Sequence, residues 1–282
     1  LIPIYTKENT TASSNENYII NPPDETYQGE YEEDDFTWDA NDPNKVTGFT
    51  NKGKLKLYGN GYKLKLPDKV TSVADSAFRW VKLKSVEGKN VTTVGDYSFD
   101  TNPLSSVDMP NLTTIGNYAF YNNIAAEGSK LSRINLDNVR VIGNSAFSSA
   151  GLEGVVSIPN VEVVNDWAFY NNKISKVNAP LLKEIKSYAF YTNMLSKLDA
   201  GQFPLLEKIG SQAFMSNYIE SIELPSLKRI DGSSNFSFYD SSKPVIWTIP
   251  ANLTVGDNSS FQSNLFNRIT AGKKPSDVRN AE

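Results

Sequence analysis

The sequence predicts a repeat solenoid of the α/β type, a right-handed superhelix of about nine coils with short parallel strands on its concave face and few regular helices. Three observations predict it. A small residue followed by phenylalanine recurs along most of the chain. A β-branched residue stands five positions ahead of most of these phenylalanines. Short runs of alternating aliphatic and polar residues, often closed by proline, lie between them.

The small-Phe pair occurs at Ala77-Phe78, Ser98-Phe99, Ala119-Phe120, Ala146-Phe147, Ala168-Phe169, Ala189-Phe190, Ala213-Phe214, Ser237-Phe238 and Ser260-Phe261, in steps of 21, 21, 27, 22, 21, 24, 24 and 23 residues. The preceding β-branched positions are Val73, Val94, Ile115, Ile142, Val164, Ile185 and Ile209, with glycine following at Gly95, Gly116, Gly143 and Gly210. The alternating run appears as Val107-Asp108-Met109-Pro110, Val177-Asn178-Ala179-Pro180, Ile222-Glu223-Leu224-Pro225 and Trp247-Thr248-Ile249-Pro250. Alternation over a few residues is a short strand with one buried face, and proline, lacking an N–H, ends its ladder. One such unit cannot bury its own apolar side, but stacked units cover one another and share a continuous core. The expected result is a single parallel sheet along one side and a stacked row of phenylalanines. A further row, Asn102, Asn123, Asn172, Asn193, Asn217 and Asn264, lies three residues after the phenylalanines and reads as a ladder that satisfies turn backbone groups.

Outside the array, the chain divides by composition. Residues 1–35 read as an acidic, polar linker, because the first 46 residues carry 11 Asp and Glu against 2 Lys while the whole chain is only −4. Opening on Leu1, the chain reads as an excised or processed fragment. Residues 36–69 are expected to form an N-terminal cap. It contains a hairpin from Phe36-Thr37-Trp38-Asp39 to Val46-Thr47-Gly48-Phe49, turning at Asn41 to Asn44, with Trp38 and Phe49 covering the first open coil. The array runs over 70–271 and a C-terminal tail over 272–282. Bulges are expected at the insertion around Ala125 to Lys130 and near Phe238 and Phe261, where the spacing slips.

The composition narrows the chemistry. With no cysteine there are no disulfides or thiolate metal sites, and with no histidine there is no Ser/His/Asp triad. No glycine-rich phosphate loop, basic stripe or membrane-length apolar run is present. Asp34, Asp35, Asp39 and Asp42 offer oxygen ligands to calcium, but their spacing lacks the loop glycine and final glutamate of a calcium hand, so no metal or cofactor is expected. Glu87 with Asp108, and Asp199 with Glu223, occupy equivalent strand positions about 4.8 Å apart, near the about 5–5.5 Å carboxyl separation of retaining glycosidases. Nothing in the sequence suggests a pocket around either pair, and the chain is read as a non-enzyme.

These repeats resemble the BspA-type leucine-rich repeats of bacterial surface proteins. Ile115-Gly116-Asn117-Tyr118-Ala119-Phe120 with Asn123 carries the first half of that pattern, and Ile219-Glu220-Ser221-Ile222-Glu223-Leu224-Pro225 the second. The resemblance covers about residues 70–271. It implies a secreted or cell-surface protein that adheres to a host or neighbouring-cell protein or glycan. The alternative is a spacer that presents another domain. A monomer is expected, with no nucleic-acid partner and no membrane insertion. The outward positions of the strands nominate a ligand-binding face: Asp108, Arg133, Asn135, Lys176, Asn178, Lys197, Asp199 and Glu223. A second candidate surface is the aromatic set at Tyr97, Tyr118, Tyr121, Trp167, Tyr170, Tyr188, Tyr191, Phe236 and Tyr239, read first as stabilising ladders.

Overall fold

The computed structural model describes residues 28–123, 130–232, 246–248, 250, 253–255 and 279–280. It is a solenoid of about eight turns with parallel strands and little helix. The coils around Phe238 and Phe261, the insertion 124–129 and Asn264 lie outside the described residues.

Each coil has three sides, not a sheet and a return. The first side carries the expected strands, such as Ser85–Glu87, Ser106–Asp108, Lys173–Asn178 and Ser221–Glu223. The second carries two-residue strands ending on the β-branched row. Ser72–Val73, Thr93–Val94, Thr114–Ile115 and Val141–Ile142 pair in parallel register, as do Val163–Val164, Glu184–Ile185, Lys208–Ile209, Arg229–Ile230 and Thr254–Val255. In place of the single sheet expected from the sequence, parallel strands line two sides of the coil. Ile230 and Val255 keep this register although their distance to the next phenylalanine differs.

The third side is the phenylalanine turn. Phe78, Phe99, Phe120, Phe147, Phe169, Phe190 and Phe214 are all fully buried. Between Phe99 and Phe214 successive rings stack 5.2–5.7 Å apart and within 8° of parallel. Here three N–H groups per coil donate to carbonyls of the next: Tyr97 to Asn117, Phe99 to Ala119 and Thr101 to Tyr121. The residues two before and two after each phenylalanine take positive φ, as at Tyr97 (56°), Thr101 (54°), Trp167 (59°) and Asn171 (54°). These left-handed positions are costly for bulky residues. The inter-coil bonds over-determine them.

Coils approach closely where glycine follows the β-branched row: a Cβ on Gly116 would lie 2.6 Å from the Gly95 carbonyl carbon. Buried asparagines close the turn corners. Asn172 accepts from the Leu152 N–H and donates to the Phe147 and Phe169 carbonyls; Asn193 accepts from Ile174 and donates to Phe169. A second asparagine ladder, unforeseen in the sequence, runs through Asn90, Asn111, Asn138 and Asn160, each donating to a carbonyl of the preceding coil.

The cap contains the expected hairpin, Phe36–Trp38 antiparallel to Lys45–Phe49, and the second of these strands opens the β-branched sheet by pairing with Ser72–Val73. Phe49 lies edge-on against Phe78 at 4.9 Å and stacks on Phe36, so these two rings cover the first coil, while Trp38 stays half-buried beneath the Lys69 ammonium. A nine-residue helix, Asn51–Gly59, follows and was not expected; the Thr50 hydroxyl accepts from the Gly53 N–H at its start.

The boundary of the acidic linker also needs correction. Residues 28–35 pack on the cap. Tyr31 contacts Phe36 and Phe49, and burial pushes its hydroxyl up to about 12. Asp35 is fully buried, accepts from the Glu32 N–H and pairs with Lys56 at 2.7 Å. A Cβ on Gly53 would lie 1.9 Å from the Asp35 carbonyl oxygen, so the helix sits directly on this backbone. A charge read as solvated in the sequence is thus part of the interior, held there by its lysine.

Candidate functional site

Strand register decides what the first side presents. Glu87 lies opposite Asp108, Ser106 opposite Arg133, Val155 opposite Lys176, Ser157 opposite Asn178, and Lys197 opposite Ser221. Of the nominated residues, Asp108, Arg133, Lys176, Asn178, Lys197 and Glu223 lie on these strands, and Asn135 and Asp199 follow directly after theirs. Asp108, Arg133, Asn135, Lys176, Asn178, Lys197 and Glu223 are exposed, and Asp199 is half-buried.

They are not equally free to meet a ligand. Asp108, Arg133, Lys176, Lys197 and Glu223 make no ion pair among the described residues. Asn135 instead accepts from the Asp137 N–H, and Asn178 donates to the Ser157 hydroxyl. Asp199 accepts from the Gly201 and Gln202 N–H groups. Short polar side chains that bond their own backbone two or three residues on are turn formers. Asp199 is therefore taken out of the row, and its pairing with Glu223 as two facing carboxylates goes with it. Glu87 and Asp108 do face outward together, on an open strand surface.

The first side is also not one sheet. It falls into three pieces: Lys63–Lys65 to Arg133–Ile134, Glu153–Ser157 with Lys173–Asn178, and Lys197–Leu198 to Ile246–Thr248. At the second break the buried Gln202 fills the opening. Its side chain accepts from the Val177 N–H and donates to the Lys197 carbonyl, and its own carbonyl accepts from the Ala179 N–H. At the first break there is a cleft of about 280 Å³, lined among others by Ile134, Asn135, Leu152, Val155 and Ser157. Val155 is 64% exposed beside it.

The second sheet stops at the same junction, since Val141–Ile142 and Val163–Val164 do not pair. The turn side continues through it: Ser145, Phe147 and Ser149 donate to Asp166, Ala168 and Tyr170. Side chains reach across where the strand ladders end, with Asn160 donating to Asp137 and Asn165 to Ile142. The sequence signal was present in the 27-residue step and in the serines at 145 and 148, where neighbouring coils carry aromatics.

The aromatic set is mostly engaged with itself. Tyr97 and Tyr118 stack at 4.7 Å, and Trp167 and Tyr188 at 4.0 Å; Tyr121, Tyr170 and Tyr191 lean against these pairs. Their faces are covered by one another, which is the arrangement of a stabilising ladder. Phe236 and Tyr239 lie outside the described residues.

The calcium possibility takes a different form. Glu32, Asp34 and Asp35 do bring carboxylate oxygens within 4.8 Å of one another. However, the Lys52 ammonium sits among them, 2.8 Å from Glu32, 2.7 Å from Asp34 and 3.8 Å from Asp35. Its hydrogen bond holds the Asp34 carboxyl below the usual range, and the two exposed carboxylates raise the Lys52 ammonium in return. Asp39 and Asp42 are turn formers, accepting from Asn41 and Asn44.

No helix among the described residues is long and apolar enough to cross a membrane. No curated protein matches the chain in sequence. Among solved structures, it is similar to a leucine-rich cell surface protein of Faecalibacterium prausnitzii, with 18% identity over 88% of this chain and 93% of that one and a TM-score of 0.47. It is also similar to a leucine-rich repeat protein of Bacteroides ovatus, with 15% identity over 89% and 78% and a TM-score of 0.47. A third is the pneumococcal vaccine antigen PcpA, with 14% identity over 78% and 79% and a TM-score of 0.28. The model of the BspA type leucine rich repeat region matches with six copies, over residues 57–175, 125–236 and 162–281. With coil register, phenylalanine ladder and asparagine ladder all in place, the chain belongs to the BspA-type leucine-rich repeat family.

Proposed function

We propose that this chain is a non-enzymatic binding module of an extracellular or cell-surface protein, and that it contacts an extracellular protein or glycan through its first strand side. The observation that carries the reading is a difference in charge pairing. On the β-branched side, charges are matched from coil to coil: Lys183 with Glu162 at 2.8 Å, Lys208 with Glu184 at 2.9 Å, and Lys228 with Glu207 at 2.6 Å. On the first side Glu153 pairs with Lys130 and Lys173, but Asp108, Arg133, Lys176, Lys197 and Glu223 point outward with no ion pair among the described residues. Exposed matched pairs add little to stability, and unmatched exposed charges add less. Their alignment in rows suits recognition of a polar partner, with charge complementarity setting specificity and rate of encounter.

Each polar contact at a wet surface contributes only about 0.5–1.5 kcal/mol, so affinity requires several coils at once. The test screens the purified chain against immobilised glycans and extracellular proteins. Any binder is then measured against Lys176→Glu with Lys197→Glu. Loss of binding at unchanged thermal stability supports the reading. A chain that binds nothing in either screen is a spacer, and binding that survives the double reversal moves the contact to another surface.

A further inference from the structure

We propose that the cleft at the first break of the strand side is a docking site for an extended peptide segment, which adds along the uncovered edge of the strand Glu153–Ser157. The proposal rests on the binding role above and names the class of partner and the place it enters.

Among the described residues the strand Glu153–Ser157 is paired along one edge only, with Lys173–Asn178. Its other edge faces Arg133–Ile134 across the cleft, and no strand pairing joins them. An uncovered strand edge presents a row of backbone donors and acceptors, which proteins ordinarily pair, shorten or cover. This one is five residues long in an array whose other strands are mostly two or three.

The molecule itself shows what chemistry such an opening takes. At the companion break Gln202 supplies one amide N–H, one amide oxygen and one backbone carbonyl to the strands on either side. That is the donor and acceptor set of a short piece of extended backbone. At the first break Lys130 reaches the Glu153 carboxylate at 2.9 Å and the Leu131 N–H donates to the Ala150 carbonyl, but among the described residues no side chain bonds the strand backbone as Gln202 does, and a cleft of about 280 Å³ remains. Its lining is mixed: Leu131, Leu136 and Leu152 lie buried beneath it, Ser132, Asn135 and Ser157 add polar groups, and exposed Val155 stands at its rim. An extended peptide fits this combination: main-chain hydrogen bonds along the edge give affinity, and alternate side chains reach the cleft lining. A sugar ring fits less well, because no aromatic ring lines the cleft for it to stack upon.

The probe is a displayed library of random linear peptides selected on the intact chain, with the best binder resynthesised. Two measurements follow. The first is hydrogen exchange with and without that peptide, expected to slow at amides within 153–157. The second is affinity for Val155→Arg, which places a bulky cation at the rim without altering the core and is expected to weaken binding by at least about tenfold. Lys176→Glu with Lys197→Glu serves as a parallel arm. Protection elsewhere in the chain, or undiminished binding by Val155→Arg, overturns the cleft while leaving the wider strand side standing. Failure to select any linear peptide, with glycan binding lost in Val155→Arg, overturns the peptide in favour of a sugar. Peptide binding indifferent to every strand-side variant overturns the proposed binding surface as well.

Discussion

Truncating Phe169 to alanine tests the stacking argument at its most informative position. The ring is fully buried, 5.5 Å from Phe147 and 5.2 Å from Phe190, each within 5° of parallel. Removing a buried phenylalanine side chain forfeits about 1.5–3 kcal/mol of transfer free energy. Two lost ring contacts, at about 0.5–1.5 kcal/mol each, add about 1–3 kcal/mol. The sum agrees with the about 3–5 kcal/mol seen for such truncations in general. Position adds a second expectation. Phe169 belongs to the first coil after the open junction, where both strand ladders stop and the turn side carries the backbone continuity. In a one-dimensional array, weakening one interface uncouples the blocks on either side of it. Urea unfolding of Phe169→Ala, followed by circular dichroism and by hydrogen exchange, should therefore show loss of stability and a split into two steps. Phe99→Ala, set between coils whose strands remain paired, should lose stability without the split. A loss below about 1 kcal/mol for Phe169→Ala would place the ring outside a packed interior and refute the ladder as the source of stability.

Three further outcomes follow from the structure. Asn193→Ala leaves the Ile174 N–H without its buried acceptor, at about 1–3 kcal/mol, while the Phe169 carbonyl keeps the Asn172 donor; the loss is measurable as a lowered urea midpoint, whereas exposed Asn178→Ala should change it little. Removing residues 1–27 should leave the melting temperature near that of the intact chain, while removing 1–35 should lower it clearly, because the second deletion takes away Tyr31 and the buried Asp35 that neutralises Lys56. Tyr31 has its hydroxyl raised from 10.0 to about 12 by burial, so its contribution is complete below pH 10 and is lost as pH rises through about 12; alkaline melts of Tyr31→Phe should lack that part of the decline, and identical profiles would remove the residue from the cap interior.

What was legible in the sequence is what repeats with side-chain chemistry. The phenylalanine, β-branched and asparagine rows each occupy one place in the coil, so stacking converts sequence period directly into spatial rows. The hairpin was legible because two apolar runs flank an Asn/Asp turn. The second sheet was not, since a strand of two residues is too short for alternation to show. The paired left-handed positions were hidden because Tyr, Ser, Trp, Thr and Asn fill them instead of glycine. The helix Asn51–Gly59 escaped because it has a glycine at Gly53 and buries only that residue and Leu57, leaving no apolar stripe to read. On the nominated face, six of the eight residues lie on strands, but Asn135 and Asp199 fall just past strand ends and turn to neighbouring amides. That choice depends on where each strand ends, which the repeat alone does not specify.

The open junction joins these threads. An ideal array would continue both sheets through every coil, and here the turn side does continue with its stacking unchanged. The cause must therefore lie in the strand sides. The 27-residue step places an insertion immediately before the strand Arg133–Ile134, and that strand is two residues long where its partner Ser106–Asp108 has three. The following coil has five residues, Glu153–Ser157, and these pair only with Lys173–Asn178 of the coil beyond. That leaves an edge on the first side, and on the second the Asn165 side chain donates to the Ile142 carbonyl where neighbouring coils use a backbone N–H. At the second break the same problem is solved from within by Gln202. A repeat protein that closes one opening with its own amide and leaves the other as a cleft of mixed polar and apolar lining has, at one coil boundary, the unpaired strand edge to which an added strand can bond.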